Sequence, residues 1–248
     1  MSLNNVEEIA TFIVADGKGI LAADESNPTC GKRFDSIGVD STEENRRDYR
    51  ELLFRSKGMK GNIGGVILFD ETIRQEAKDG TLLRDIISDQ GALPGIKVDK
   101  GLQPIEDCPN ETVTVGLDGL DERLKEYSSM GAKFTKWRAV INIGNGIPTD
   151  RCIDANMQAL ADYAKCAQDN GMVPIVEPEV LMDGEHNIDE CYEATERSLK
   201  SLFSHLEKAS VNIKGTLLKP NMVTSGKDAT DQANVEEVAQ KTLDCLIA

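Results

Sequence analysis

Short runs of apolar residues recur along the chain, and longer amphipathic segments separate them. The runs are rich in aliphatic and β-branched residues and are bordered by glycine or proline, which is typical of buried parallel strands. We predict strands at residues 19–24, 63–70, 95–100, 133–141, 173–179 and 215–220.

The segments between these runs have the apolar spacing of amphipathic helices. We predict helices near residues 3–16 and over residues 41–57, 117–131, 150–171, 188–210 and 235–248. Ser41 and Glu44 have the spacing of a capping box, and Gly131 and Gly171 stand where a helix can end. The alternation predicts an α/β fold with a parallel sheet, and it fits both an open doubly wound sheet and a (β/α)8 barrel.

The size and composition of the chain suit a globular protein. Its 248 residues are 40% hydrophobic, and no linker or repeat interrupts them, so we predict a single domain over 1–248. No apolar run approaches the roughly 18 residues of a membrane span. The segment "MSLNNVEEIATFIVADGKG" lacks the basic region of a secretory signal. Six cysteines without a C-x-x-C pair suggest reduced thiols, and we therefore predict a cytoplasmic protein with no membrane partner.

The overall charge restricts the classes of partner and cofactor. A formal net charge of −15 argues against nucleic acid as a partner, although a local cluster of cations could still bind an anionic substrate. The two histidines, His186 and His205, do not have a zinc-binding spacing. We expect neither a metal site nor a cofactor.

Charged residues collect at the carboxyl ends of five of the six predicted strands. Side chains at positions i and i+2 of a strand share a face, so the charges of one strand point the same way. In barrels this end of the sheet builds the active site. The acidic residues are Asp24, Asp99, Glu177 and Glu179, and the basic residues are Lys97, Lys136, Arg138 and Lys219.

Such a cluster permits Schiff-base chemistry. A partly desolvated lysine near other cations is biased towards the neutral amine, which attacks a ketone to form an imine. Carboxylates then move the protons that carbinolamine formation, dehydration and carbon–carbon cleavage require. Lys219, at the end of an apolar run and followed by Pro220, is the best candidate for the nucleophile. The alternative role for Lys219 is a structural salt bridge.

Several long motifs resemble those of class I fructose-1,6-bisphosphate aldolase, in the order and spacing of that family. They are "GKGILAADES", "STEENRRDYRELL", "IGGVILFDET", "GIKVDKG", "GLDGLDERLKEY", "FTKWR", "VPIVEPE" and "GTLLKPNM". The resemblance implies a (β/α)8 TIM barrel, with about six βα units in this chain, and commonly a homotetramer. It also implies reversible cleavage of fructose 1,6-bisphosphate to dihydroxyacetone phosphate and glyceraldehyde 3-phosphate, in glycolysis and gluconeogenesis.

The same resemblance implies roles for individual residues. Lys219 would be the Schiff-base lysine, Glu177 the general acid and base of imine formation, and Asp24 the group that acts on the C4 hydroxyl. Glu179 would orient the lysines. Lys136 in "KWR" would also be catalytic and would hold the ketose together with Arg138. The remaining residues would bind the substrate, namely Lys97 beside Asp24, and Ser26, Lys32, Arg33 and Arg46 near the sugar phosphate.

Two departures from the family pattern qualify these expectations. Lys214 stands where the family usually has an acidic residue, but at the far end of the strand from Lys219, so we expect little effect on catalysis. The family's last two βα units, which carry its main phosphate grip, do not appear in this sequence. We expect the isolated chain to be less stable than a full barrel and nearly inactive on the bisphosphate.

Two alternatives to a fructose-bisphosphate aldolase remain at this point. One is a transaldolase or another sugar-phosphate lyase, although those enzymes lack this set of motifs in this order. The other is a truncated, non-catalytic aldolase paralogue that acts as an interaction subunit.

Overall fold

The computed structural model describes residue 3 and residues 5–248. A short 3-10 helix spans Ile213–Gly215. The α-helices within the described residues are α1 (Val6–Ile13), α2 (Asn27–Asp35), α3 (Glu43–Phe54), α4 (Asp70–Arg74), α5 (Leu83–Asp89), α6 (Leu120–Ser129), α7 (Asp150–Asp169), α8 (Ile188–Lys208) and α9 (Val235–Ile247).

Strands of the described chain form a six-stranded sheet and a separate antiparallel hairpin. The order in the sheet is β1-β2-β3-β6-β7-β8, and β4 pairs with β5 in the hairpin. The pairs β1–β2, β2–β3, β3–β6 and β7–β8 are parallel. The strands are β1 (Gly19–Ala23), β2 (Ile63–Leu68), β3 (Leu93–Lys97), β4 (Leu102–Ile105), β5 (Cys108–Thr114), β6 (Phe134–Ile141), β7 (Val173–Val180) and β8 (Leu217–Leu218).

The structure confirms the six predicted strands and the six predicted helices, with shifted ends. The predicted helix near residues 3–16 is α1, and residue 4 of that prediction lies outside the described residues. The last strand is shorter than predicted, because residues 213–215 form the 3-10 helix and Pro220, which has no N–H group, cannot continue the ladder. The hairpin β4–β5 and the helices α2, α4 and α5 were not predicted, since their sequences are too short to show a sustained apolar period.

The predicted capping box at Ser41 and Glu44 is wrong by one residue. Thr42 is the N-cap of α3, and its hydroxyl accepts a hydrogen bond from the Asn45 backbone N–H at 3.1 Å. The box geometry occurs instead at α8, where the Asn187 side chain and Glu190 cap each other's backbone groups. The prediction that Gly131 and Gly171 follow helices is confirmed, with φ angles of +96° and +71° that suit glycine.

The chain divides into two compact units. The first unit comprises the described part of residues 1–98 with residues 121–136 and 167–174, and the second comprises residues 99–120, 137–166 and 175–248. Strands β6 and β7 begin in the first unit and end in the second. Two backbone hydrogen bonds lie at the ends of these strands. In the first unit Val173 N–H donates to Lys133 C=O, and in the second unit Leu181 N–H donates to Ile141 C=O.

The core of the first unit requires glycine beside a buried aromatic ring. Phe134 is fully buried, and a Cβ atom added to Gly95 would lie 2.3 Å from its ring. A Cβ atom on Gly65 would lie 2.7 Å from the same ring. The glycines of β2 and β3 therefore provide the space into which Phe134 packs.

The core of the second unit contains the single tryptophan of the chain. Trp137 is fully buried, and its ring stacks on that of Tyr163 with 5.3 Å between ring centroids. The hairpin is joined to α7 by the buried Glu111 carboxylate, which accepts hydrogen bonds from the Thr149 backbone N–H and hydroxyl, both at 2.7 Å. Because Trp137 occupies the core side of β6, its neighbours Lys136 and Arg138 point away from that core.

Candidate active site

The first unit brings two predicted site residues into contact. Asp24 follows β1, and its Oδ2 atom accepts a hydrogen bond from the Lys136 ammonium at 3.2 Å. Their side chains are 12% and 7% exposed, so both charges are largely removed from water. Lys97, the last residue of β3, is the register partner of Lys136 on β6. An ion pair buried to this extent holds its partners strongly, because each charge would be costly to leave alone.

The second unit brings together the predicted nucleophile and its predicted acid. Lys219 lies directly after β8, and its backbone N–H donates to Val176 C=O at 2.9 Å. Its ammonium group contacts the Glu177 carboxylate. The Lys219 side chain is 46% exposed, whereas that of Glu177 is 3% exposed. A solvent-accessible amine therefore stands against an acid that is held inside the protein, which suits proton transfer to and from that amine.

Arg138 and Glu179 form a second ion pair in this unit, with both side chains about one-third exposed. The Arg138 backbone N–H also donates to Asp99 at 3.4 Å. We predicted that Glu179 orients the lysines, and here it contacts an arginine. In this arrangement Glu179 fixes the position of the Arg138 guanidinium.

Asn221 belongs to the same region, and the sequence analysis did not identify it. Its side-chain carbonyl accepts a hydrogen bond from the Val180 backbone N–H at 3.2 Å, and its amide donates to Thr195 Oγ1 at 3.1 Å. Val180 follows Glu179 on β7, and Asn221 lies two residues after Lys219. The asparagine therefore fixes the chain that carries the nucleophile to the strand that carries the acid.

The four predicted phosphate-site residues lie on α2 and α3 of the first unit. Ser26 is the N-cap of α2, and its hydroxyl lies 3.0 Å from that of Thr29. Lys32 and Arg33 are exposed, and Arg33 contacts the Glu25 carboxylate. Arg46 is buried and differs from the other three.

Arg46 is committed to a bidentate pair with Glu71. Its Nε and Nη2 atoms donate to the two carboxylate oxygens at 2.9 and 2.6 Å. These hydrogen bonds lower the pKa of Glu71 and raise the pKa of Arg46. Glu71 also accepts hydrogen bonds from Asn27 and Gln75. Arg46 is thus engaged within the protein, unlike the exposed Lys32 and Arg33.

Arg50 is a further buried arginine that the sequence analysis passed over. The buried residues of α3 are Arg46, Arg50 and Phe54, spaced four residues apart. That spacing places two arginines on the inner face of an amphipathic helix, where apolar residues are usual. The helical period was therefore a signal in the sequence for these two positions.

The two histidines are both buried but have different surroundings. Burial lowers the pKa of His186, which lies in the loop after β7. His205 on α8 is hydrogen bonded through Nε2 to Asp154 at 2.9 Å. Within the described residues, histidine, cysteine and carboxylate side chains form no cluster of three or more suited to a metal ion.

No helix in the described part of the chain has both the length and the apolar character needed to cross a membrane.

Comparisons with known proteins give the family. The family model described as fructose-bisphosphate aldolase class-I matches residues 5–248. A probable fructose-bisphosphate aldolase class 1 of Xanthomonas campestris is 55% identical over 99% of this chain and 74% of its own length. The cytosolic fructose-bisphosphate aldolase 4 of Arabidopsis thaliana is 50% identical over 96% of this chain and 60% of its own length.

A solved structure of fructose-bisphosphate aldolase from Plasmodium falciparum, in complex with TRAP and a small-molecule inhibitor, superposes with a TM-score of 0.96. It is 45% identical in sequence, and the match covers 98% of this chain and 70% of that one. These similarities confirm the predicted family and the predicted relation to the (β/α)8 barrel, and they do not favour a non-catalytic paralogue. The chain therefore belongs to the class-I fructose-bisphosphate aldolase family, whose members are lyases that typically act through a lysine Schiff base.

Proposed function

We propose that this chain carries the catalytic residues for the reversible cleavage of fructose 1,6-bisphosphate to dihydroxyacetone phosphate and glyceraldehyde 3-phosphate, which proceeds through an imine on Lys219. The observation that carries the proposal is the contact between the half-exposed Lys219 ammonium and the buried Glu177 carboxylate. The similarity to relatives named as fructose-bisphosphate aldolases supports the choice of substrate.

Imine formation is the work that we assign to the second unit. Glu177 takes a proton from the Lys219 ammonium, and the free amine attacks the C2 carbonyl of the ketose. A carbon–nitrogen bond forms as the carbonyl π bond breaks, and one proton passes from the nitrogen to the oxygen to give the carbinolamine. Glu177 then returns a proton to the C2 hydroxyl of the carbinolamine, which leaves as water. The product is a positively charged iminium at C2, and Glu177 is a carboxylate again.

Cleavage of the C3–C4 bond is the step that we assign to Asp24. A carboxylate oxygen of Asp24 accepts the proton of the C4 hydroxyl, and the electrons of the C3–C4 bond move towards the iminium. Glyceraldehyde 3-phosphate leaves, and the remaining enamine is protonated at C3 and hydrolysed to dihydroxyacetone phosphate. Since Lys136 is hydrogen bonded to Oδ2, the other oxygen, Oδ1, is our candidate for the proton acceptor.

Binding of the substrate is assigned to cationic and hydroxyl side chains. Lys97 and Arg138 would contact the sugar, and Ser26, Lys32 and Arg33 a phosphate group. The guanidinium nitrogens of Arg46 donate hydrogen bonds to Glu71 and Ser41. We therefore propose that Arg46 stabilises the local structure more than it binds the phosphate.

Borohydride trapping tests the proposal. Dihydroxyacetone phosphate is added to the purified chain, borohydride reduces any imine, and peptide mass spectrometry locates the adduct. We expect a reduced adduct on Lys219 and none in a Lys219→Met variant, with a coupled assay reporting cleavage of the bisphosphate in parallel. An adduct on another lysine, or no adduct on the folded chain, would contradict the proposed mechanism. Lys214→Met is the matched control, because this nearby lysine is exposed and has no assigned role.

We also propose that the chain acts in the cytoplasm, in glycolysis and gluconeogenesis, as a homo-oligomer. The support is its similarity to a cytosolic relative and the tetramers that are common in the family. Analytical ultracentrifugation of the purified chain measures the assembly directly. A tetramer would support the proposal, and a monomer at micromolar concentration would contradict the assembly without affecting the imine chemistry.

A further inference from the structure

Arg50 is a buried cation without a role in the proposed chemistry. Its side chain on α3 is 0% exposed, so it cannot touch a substrate. A buried guanidinium is costly unless its charge is compensated and its N–H groups are hydrogen bonded. The partners of Arg50 therefore indicate what this position accomplishes.

The hydrogen bonds of Arg50 go to the two carbonyl groups that flank Asp24. Nε donates to Ala23 C=O at 3.2 Å, and Nη2 donates to Glu25 C=O at 2.6 Å. Strand β1 ends at Ala23. The guanidinium thus holds the backbone on both sides of Asp24 where the strand ends.

Two carboxylates surround the guanidinium at ion-pair distance. Nη2 lies 3.8 Å from Glu25 Oε2, and Nη1 lies 3.9 Å from Glu71 Oε1. Both distances exceed those of a good hydrogen bond, so these carboxylates compensate the charge, while the backbone carbonyls accept hydrogen bonds from Nε and Nη2 and Nη1 makes none within the described residues. Glu71 is in turn held by Arg46, and Glu25 accepts a hydrogen bond from the Tyr49 hydroxyl at 3.2 Å.

We infer that Arg50 is a positioning residue that fixes the backbone of Asp24, so that its carboxylate stays against Lys136 for the cleavage step. The inference rests on the proposed function, since it acts through the role assigned to Asp24. Arginine suits the task because its planar fork reaches two separate acceptors, whereas lysine offers one nitrogen atom. A displacement of about 1 Å at a catalytic group can cost on the order of a hundredfold in rate.

The first test measures catalysis in an Arg50→Lys variant, which keeps the buried positive charge. We expect kcat for bisphosphate cleavage to fall at least about tenfold with KM within twofold. The yield of the borohydride-trapped dihydroxyacetone phosphate adduct should not change, because imine formation is assigned to Lys219 and Glu177. Arg47→Lys is the matched control, since this neighbouring arginine of α3 pairs with Asp48 and Glu44. Equal losses of cleavage and trapping, or unchanged cleavage, would overturn the inference.

The second test needs no enzymatic activity, so it separates this inference from the proposed function. Asp24→Asn is introduced into the unmodified chain, the Arg50→Lys variant and the Arg47→Lys variant, and the urea midpoint of unfolding is measured for each. Asp24→Asn should lower the urea midpoint in the unmodified chain and in the Arg47→Lys variant. If Arg50 holds Asp24 against Lys136, the decrease in the Arg50→Lys variant should be at most half as large. An equal decrease in all three would overturn the inference. Failure of the unmodified chain to trap any ketose would overturn the proposed function alone.

Discussion

The lysine–carboxylate pair of the first unit and that of the second unit differ in the solvent exposure of the lysine. In the first unit Lys136 is buried and the Asp24 side chain is only 12% exposed, and their charges depend on each other. In the second unit Glu177 is buried, but nearly half of the Lys219 side chain is exposed. A lysine that stays in place supports a neighbouring acid, whereas a lysine that forms a covalent bond with a dissolved ketone must be reachable. The difference in exposure thus separates a supporting lysine from a reacting one.

Replacement of the reacting lysine should give the largest change in activity. In Lys219→Met we expect the trapped adduct to disappear and cleavage to fall to the assay background, because no other group can form the imine. Steady-state kinetics and borohydride trapping measure this loss, and Lys214→Met should retain the activity of the unmodified chain. Cleavage above about one-hundredth of normal in Lys219→Met would contradict the assignment of the nucleophile.

Replacement of the supporting lysine should give the largest change in stability. Lys136→Met leaves the Asp24 carboxylate buried without its cation, which costs about 3–5 kcal/mol when a buried pair is broken. In Lys219→Met the buried Glu177 carboxylate also loses its cation, but the Lys219 position is open to water, so we expect the cost to be less than half as large. Urea unfolding measures both variants. Lys133→Met, a change at an exposed lysine just before β6, is the control. Equal losses of stability in Lys136→Met and Lys219→Met would contradict the distinction between a supporting and a reacting lysine.

The residues that carry charge at the strand ends could be predicted from the sequence, and their exposure could not. Alternation along β6 places Lys136 and Arg138 on one face, and the structure bears this out with Trp137 in the core between them. Nothing in the local pattern distinguishes the buried Lys136 from the half-exposed Lys219, because burial depends on elements distant in sequence. For Arg50 the helical period indicates an inward position, but it does not indicate the acceptors, which are backbone carbonyls 25 and 27 residues away.

The hairpin and the final strand show a second limit of the sequence pattern. Strand β4 has mostly exposed residues, so it lacks the apolar run by which the buried strands were found. Strand β8 has only two residues, and Asn221 fixes the chain beyond it through a side chain. Side-chain to backbone hydrogen bonds of this kind leave no periodic signal. They must be found from the folded structure.

A change at Asn221 should have an intermediate effect on imine trapping, and it tests how the chain that carries Lys219 is held against β7. Asn221→Ala leaves the Val180 N–H and the Thr195 hydroxyl without this partner, at a cost of about 1–3 kcal/mol. We expect the rate of borohydride trapping to fall about tenfold, since the chain bearing Lys219 is less firmly held against β7. Thr195→Val removes only the second hydrogen bond and should have a smaller effect. Trapping at the normal rate in Asn221→Ala would show that the strand end is held by other contacts.

The smallest expected effect is a pH dependence of stability that arises at Glu71, the carboxylate paired with Arg46. The hydrogen bonds from Arg46 hold the pKa of Glu71 below its ordinary value of about 4.3, so folding favours the carboxylate. Its contribution to the free energy of unfolding is fully present above the unfolded-state pKa and is lost as the pH falls through the lower folded-state pKa.

A Glu71→Gln variant lacks this titration, and its comparison with the unmodified chain isolates the effect. We expect the difference in urea midpoint between the two to be constant from about pH 6 to pH 5 and to shrink below about pH 4, in the window set by the lowered pKa of Glu71. Glu44→Gln is the control, because this exposed glutamate of α3 has only a surface pair with Arg47. A difference that widens with acidity would mean that folding favours the protonated form of Glu71, and the buried arginines would then lack the anionic partner that compensates their charge.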